Sequence, residues 1–276
     1  MRAARSSSRF GRIIPNGAKT IANDDFIECD GLTRIEIPSS VTSIESGAFC
    51  RCGDLESITV DCGNLHFGSR DGILYDRAKA EIIHIPQSIK GAVVIPDGVT
   101  HIRSGAFSFC EGLSSITIGD GVASIGEDAF SYCCGLTEIT VSSGNGRYHS
   151  ACDCLIETET KRLVLGCKNS VIPRDGSVTS IGDDAFYGCC GLTGIAIPSA
   201  VTSIGVGAFA GCVMLTRVEI PSGVTSIGEY AFFGCVGLSR VQYRGTTVQW
   251  NAIAKDGWND HSGIKTVACV DGEILL

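Results

Sequence analysis

The side chains best suited to chemistry in this chain are its cysteines and histidines, and they crowd together in one stretch. His149, Cys152 and Cys154 form an H-x-x-C-x-C pattern, with Cys167 downstream. Thiolate and imidazole are preferred zinc ligands, so this is where a metal would sit. The spacing matches no standard zinc knuckle. A related stretch earlier in the chain has Asp71 and Ile73 at the positions of Cys152 and Cys154, so a segment of this type does not need metal to fold. A disulfide such as Cys154–Cys167 is a second reading. Plain free thiols are the reading the pattern favours, and no metal or cofactor is expected.

Other chemistries fare worse. A cysteine nucleophile needs a base beside it, but His66, His84, His101, His149 and His261 share no common position in the pattern described below. The paired acids Asp24-Asp25 and Asp183-Asp184 fall on turns, where solvated carboxylates are ordinary. No G-x-x-x-x-G-K-[ST] phosphate loop occurs, and Gly144-Asn145-Gly146 precedes no helical pattern, so it reads as a turn. No catalytic residue emerges, and the chain is not expected to be an enzyme.

What positions these residues is a repeat. Phe26, Phe49, Phe107, Phe130, Phe186, Phe209 and Phe232 lie 23 residues apart, except for gaps of 58 and 56. Other columns keep step with them. Ile stands five before each Phe, Cys three after and Leu six after, and apolar, mostly β-branched pairs stand nine and eleven after, from Ile35 and Ile37 to Val241 and Tyr243. A fixed period in this range marks a solenoid, in which one coil cannot bury its apolar face but stacked coils can. The L-x-x-I-x-I stretch reads as a short strand, ended by Pro38, Pro198 or Pro221 in three copies. V-T-S-I reads as a second extended piece, and G-x-x-A-F-x-G-C as a tight turn or one helical turn that drops Phe inward. The expected fold is therefore a repeat solenoid: a right-handed, leucine-rich-repeat-like coil of short parallel β-strands with turns or short helical turns.

The motif I-P-S-G-V-T-S-I-G-E-Y-A-F-F-G-C-V-G-L, from Ile220 to Leu238, resembles the BspA-like (treponemal-type) leucine-rich repeats, and the resemblance runs from about Ile14 to the end. It implies a surface or secreted protein that binds host proteins, matrix or other cells. The segment from Val241 through Trp250 and Trp258 is similar to the tail that closes such arrays, and its Tyr243, Trp250, Ile253 and Trp258 suit an open core end. In these repeats the position of the Cys column often holds Asn or Cys facing inward. Repeated there, Cys29, Cys52, Cys110, Cys133, Cys189, Cys212 and Cys235 read as small buried hydrophobes with weak donors.

The two long gaps resemble each other. Asn64-x-x-Phe67-x-Ser69 recurs as Asn145-x-x-Tyr148-x-Ser150. Each continues as apolar stretch, charged turn, apolar stretch: Ile73–Tyr75 and Ile82–Ile85 in the first, Cys154–Ile156 and Leu163–Leu165 in the second. Both read as β-hairpins projecting from or inserted into the stack. The expected layout is a disordered tail at 1–13, a solenoid at 14–243 with inserts at about 61–92 and 142–170, and a C-terminal cap at 244–276.

Composition narrows the partners. Lys and Arg number 22 against 30 Asp and Glu, a net charge of −8, which disfavours nucleic acid. No apolar run is long enough to span a bilayer, and residues 1–12 carry positive charge without the apolar run of a secretory signal. The surface left for function is the outward side of the strand ladder: Arg34, Glu36, Glu56, Glu138, Arg217, Glu219, Arg240 and Gln242. The expectation is a non-enzymatic interaction module, adhesin-like and at the cell surface, taking a protein or glycan macromolecule. The alternative is a cytoplasmic scaffold or spacer, which the missing signal and the many free thiols would suit.

Overall fold

The structure is a computed structural model that describes residues 13–23, 25, 26, 29–77 and 80–276. Asp24 and residues 1–12 of the expected tail lie outside the described residues. The chain is a β-solenoid with the 23-residue period, and it divides into two compact units. One comprises Met1–Leu113 and Gly121–Cys133, the other Ser114–Asp120 and Cys134–Leu276.

Each coil contributes one wide and one narrow strand. Wide strands come from L-x-x-I-x-I and pair in parallel, coil on coil. In the first unit Arg34–Ile37 pairs with Ser57–Val60, setting Ile35 beside Ile58 and Ile37 beside Val60. In the second, Gly194–Ala196, Arg217–Ile220, Arg240–Tyr243 and Thr266–Ala268 form one ladder, with Ile195, Val218, Val241 and Val267 in a row. The alternation is the period-2 pattern of a half-buried strand: Arg34 and Glu36 face out while Ile35 and Ile37 are buried. Narrow strands come from V-T-S-I, and Ser180–Ile181, Ser203–Ile204 and Ser226–Ile227 stack in register. Pro closes a wide strand by accepting the first turn bond, as where Val201 N–H donates to Pro198 O at 3.1 Å.

The Ala-Phe segment is a tight turn rather than a helical one. Its backbone bonds run between coils: Phe186 N–H donates to Ala208 O at 2.7 Å and Phe209 N–H to Ala231 O at 2.8 Å. The chain can turn this sharply because the residues two before and two after Phe are left-handed. Gly47, Gly105 and Gly207 occupy the first position, with Asp128, Asp184 and Tyr230 in other copies, and Gly188, Gly211 and Gly234 occupy the second. Glycine adopts that conformation without a Cβ penalty.

The phenylalanines are buried and meet face to face. In the second unit Phe186, Phe209 and Phe232 stack with centroids 5.0 and 5.2 Å apart. Trp258 then meets Phe232 edge-on at 5.7 Å. Trp250, on the helix Thr247–Ala252, packs between Tyr243 and Trp258 at 5.1 and 5.3 Å. Thr246 and Gln249 form a capping box that starts this helix. Beyond it, Thr266–Ala268 continues the wide ladder and Glu273–Leu275 returns antiparallel along it.

Both inserts are antiparallel hairpin meanders inserted into the stack, where they join the narrow ladder, rather than projecting from it. In the first, Phe67–Arg70, Ile73–Asp76 and Glu81–His84 run antiparallel, and Ile82 then pairs in parallel with Ile102. In the second, Tyr148–Ala151, Cys154–Glu157 and Arg162–Leu165 do the same, ending with Leu163 beside Ile181. The two-residue turns Asp71-Gly72 and Cys152-Asp153 are left-handed at both positions, as a tight hairpin of matching twist requires. The shared Asn and Ser are fasteners. Asn145 Nδ2 donates to Gly119 O at 2.7 Å, while its Oδ1 accepts from Arg147 and Tyr148 N–H at 2.9 and 2.8 Å. Ser69 and Ser150 Oγ accept the last wide-strand N–H groups, of Val60 and Val141, at 3.1 and 3.0 Å.

Candidate binding surface

All seven column cysteines are buried, and none is in the disulfide described below. Where the preceding coil is regular, the thiol donates back to its Phe carbonyl: Cys212 Sγ to Phe186 O and Cys235 Sγ to Phe209 O, both at 3.1 Å. Cys52 does the same to Phe26 O at 2.6 Å and Cys133 to Phe107 O at 3.2 Å. Burial raises the pKa of Cys52 to about 11, that of Cys235 to about 12 and that of Cys212 well above its ordinary value. Neutral at ordinary pH, they are structural donors rather than nucleophiles.

The stretch with ligand spacing does not close around a common point. Cys152 is exposed on its turn, whereas Cys154 and Cys167 are buried free thiols. Cys154 Sγ lies 3.6 Å from Cys152 O, and Cys167 takes part with Ser170 Oγ in bonds to Asp153 O. His149 Nδ1 is instead 3.0 Å from Thr158 Oγ1. Among the described residues no group of three or more His, Cys, Asp or Glu side chains is placed to hold a metal. The disulfide is elsewhere, between Cys134 and Cys190, whose Cα atoms are 5.1 Å apart although 56 residues separate them. The remaining thirteen cysteines lie outside this disulfide.

Two grooves line the second unit. One, of about 500 Å³, follows the narrow ladder over Ser180, Ser203 and Ser226, with Gly182, Gly205 and Gly228 along its floor. Those glycines are packing devices: a Cβ on Gly205 or Gly228 would collide with the backbone of Asp183 or Val206 in the coil before. An Arg162–Asp183 ion pair at 3.0 Å closes part of its rim.

The other groove, of about 420 Å³, lies on the outward face of the wide ladder and is lined by Thr216, Arg217, Val218, Glu219, Arg240, Gln242 and Arg244. The register puts Glu219 beside Gln242 and Arg217 beside Arg240. On the neighbouring rung, Gly194 and Ala196 carry almost no side chain and leave that flank low. Arg217 and Arg240 are 79% and 59% exposed. Glu219 accepts from Arg244 Nε at 2.7 Å and stands 3.9 Å from Arg217. That hydrogen bond, aided by the nearby charges of Arg244, Arg217 and Arg174, holds its carboxyl below the usual range.

Four of the eight candidate face residues thus meet in one groove: Arg217, Glu219, Arg240 and Gln242. Glu138 stands on another wide strand of the second unit, opposite Ser115. Arg34, Glu36 and Glu56 belong to the first unit, where Arg34 pairs with Ser57 and Glu36 with Thr59. Glu56 precedes its strand and sits one residue out of step with the row. Arg244, Thr216 and Glu273 also belong to the surface and were not singled out in the sequence. Arg244 falls one position beyond the last repeated column, and Glu273 arrives on the antiparallel return strand, which has no counterpart in the repeat.

No helix among the described residues is long and apolar enough to cross a membrane. No curated protein matches the chain. Ten solved chains match it, among them two with TM-scores above 0.5. One is a leucine-rich cell surface protein from Faecalibacterium prausnitzii A2-165, at 30% identity and TM-score 0.53, over 88% of this chain and 62% of that one. The other is a leucine-rich repeat protein from Eubacterium ventriosum ATCC 27560, at 24% identity and TM-score 0.54, over 92% of this chain and 65% of that one. The chain therefore spans under two thirds of either relative's length. Residues 11–91, 88–154 and 165–257 match the BspA type leucine rich repeat region in six copies, and the chain belongs to that family.

Proposed function

We propose that this chain is a non-enzymatic binding module of a cell-surface protein, and that the outward face of its wide-strand ladder holds a host or cell-surface macromolecule. The observation that carries this reading is the division of labour along each wide strand. Inward positions such as Val218 and Val241 are filled by the core, whereas Arg217, Glu219, Arg240 and Gln242 stand together over an open groove. Family membership and the cell-surface protein of Faecalibacterium prausnitzii support the location. The test is capture by the immobilised chain from a panel of matrix proteins and cell-surface glycans. The variant Arg217→Ala/Glu219→Ala/Arg240→Ala is expected to lose capture while melting like the parent, and unchanged affinity would remove the groove from the binding site.

The second reading, an intracellular scaffold, draws support from the many cysteines outside the disulfide, among them exposed Cys62 and Cys152, which suit a reducing compartment. Capture confined to proteins from the source cell's own lysate would favour it.

A further inference from the structure

We propose that the groove over Arg217, Arg240 and Arg244 takes an acidic polysaccharide, gripping carboxylate or sulfate groups carried on sugar rings. This rests on the reading of the wide-ladder face as the binding surface and adds the class of partner. The charge arithmetic comes first. The groove lining holds three arginines against Glu219 alone, a local balance of +2 in a chain of net charge −8. Arg217 and Arg240 occupy adjacent rungs of one face, roughly 4.8 Å apart. Like charges directly opposite each other weaken a sheet. Each guanidinium leans to its own side instead, Arg217 toward Glu219 at 3.9 Å and Arg240 toward Glu273 at 3.5 Å. Both are long, exposed contacts of little worth to stability, so both forks can turn to an anion set between them. Arg244 is held in place by its 2.7 Å bond to Glu219 and supplies a third cation just past the end of Arg240's strand.

The remaining lining selects sugar over peptide. A peptide added to a sheet uses backbone bonds at the edge with pockets for alternate side chains, and an acidic peptide is held by an arginine cluster alone. This groove crosses the face of interior rungs, and its only apolar member, Val218, is buried beneath it. It offers the oxygen of the Thr216 hydroxyl, whose proton goes to Thr193 O at 3.0 Å, and the amide oxygen of Gln242, whose Nε2 donates to Ala268 O at 3.1 Å, beside the guanidinium forks. Hydroxyls and amides suit the hydroxyls of a glycan, and planar forks suit carboxylate and sulfate.

The experiment measures binding of the whole chain to polygalacturonate, dextran sulfate, neutral dextran and polyglutamate at low and physiological salt. Polygalacturonate and dextran sulfate separate a carboxylate source from a sulfate source. Binding to at least one of them, weakened by salt and at least about tenfold weaker in Arg217→Gln/Arg240→Gln, is the expected result. Arg70→Gln removes one positive charge from an exposed strand end of the other unit and should leave binding unchanged. Arg217→Lys/Arg240→Lys keeps the charge but not the forks, and should still bind measurably more weakly than the parent. Failure to bind either acidic polysaccharide overturns the proposal. So does binding that survives the Gln pair, or polyglutamate held as tightly with the same dependence. If the polysaccharides are ignored while a matrix protein is captured through the same three residues, the wider binding reading stands and this one falls.

Discussion

His84 breaks the aromatic row of the first unit, and it should make that unit acid-sensitive. Its ring packs on Phe49 with centroids 5.4 Å apart, next in line after Phe26 and Phe49 at 5.7 Å. The side chain is buried and its Nε2 has no hydrogen-bond partner. Burial disfavours the charged imidazolium and lowers its pKa from 6.5 to about 4. The unfolded chain therefore binds a proton between pH 6.5 and about 4 that the folded chain refuses, so stability falls as pH falls through that window. It is fully present above 6.5 and stops falling below about 4. Each pH unit inside the window costs about 1.4 kcal/mol, so the whole window costs about 3 kcal/mol, of which about 2.5 is gone by pH 4.5. The perturbation is His84→Phe, which keeps a ring in the row and removes the titration. The assay is urea unfolding of both chains at pH 7.5, 5.5 and 4.5, read as the difference between them. Carboxylates titrate in both chains and cancel, and any repacking cost of the larger ring is the same at every pH. The difference should move in the variant's favour by about 2.5 kcal/mol between pH 7.5 and 4.5. A difference that stays constant with pH would refute the reasoning.

Three further outcomes follow from the packing. Phe209→Ala, in the middle of its stack, should lose about 3–5 kcal/mol in urea unfolding, and a loss under about 1 would contradict the stacked core. Gly166 sits where the Phe186 ring has displaced any side chain, so Gly166→Ala should destabilise by roughly 1–3 kcal/mol, and Phe186→Leu in the same chain should recover part of that. A thiol-alkylating reagent at mildly alkaline pH should label exposed Cys62 and Cys152 first and reach Cys212 and Cys235 only on unfolding; mass spectrometry showing early labelling of either column cysteine would count against the thiol-to-carbonyl bonds.

The columns were legible because each fills one place in every coil. The Phe of Ala-Phe and the Cys after it are buried in each copy, and the isoleucine five before Phe is buried in every copy except at half-buried Ile125, so stacking repeats their burial. Backbone geometry was not legible in the same way. The left-handed site two before Phe holds Gly47, Gly105 and Gly207 in three copies but Asp128, Asp184 and Tyr230 in three others, and that mixture hides the glycine requirement. The inserts announced themselves through Asn64 and Asn145, yet the strands Phe67–Arg70 and Tyr148–Ala151 are too short and polar to read as strands before the structure pairs them. The disulfide was hidden for a spatial reason: Cys134 and Cys190 are separated in sequence by a whole insert that the fold routes around them. The groove was half visible. Arg217 and Arg240 follow from the alternation, whereas Arg244 and Glu273 depend on how the last coil ends.

The central claim is that the outward face of the second unit's wide ladder binds and the inward columns only build. The most direct measurement is equilibrium binding of the parent chain and of Arg217→Ala/Glu219→Ala/Arg240→Ala to one captured partner, alongside their melting curves. The account predicts saturable binding by the parent and at least about tenfold weaker binding by the variant, with coincident melting. Equal affinities for a partner that the folded parent captures would contradict it.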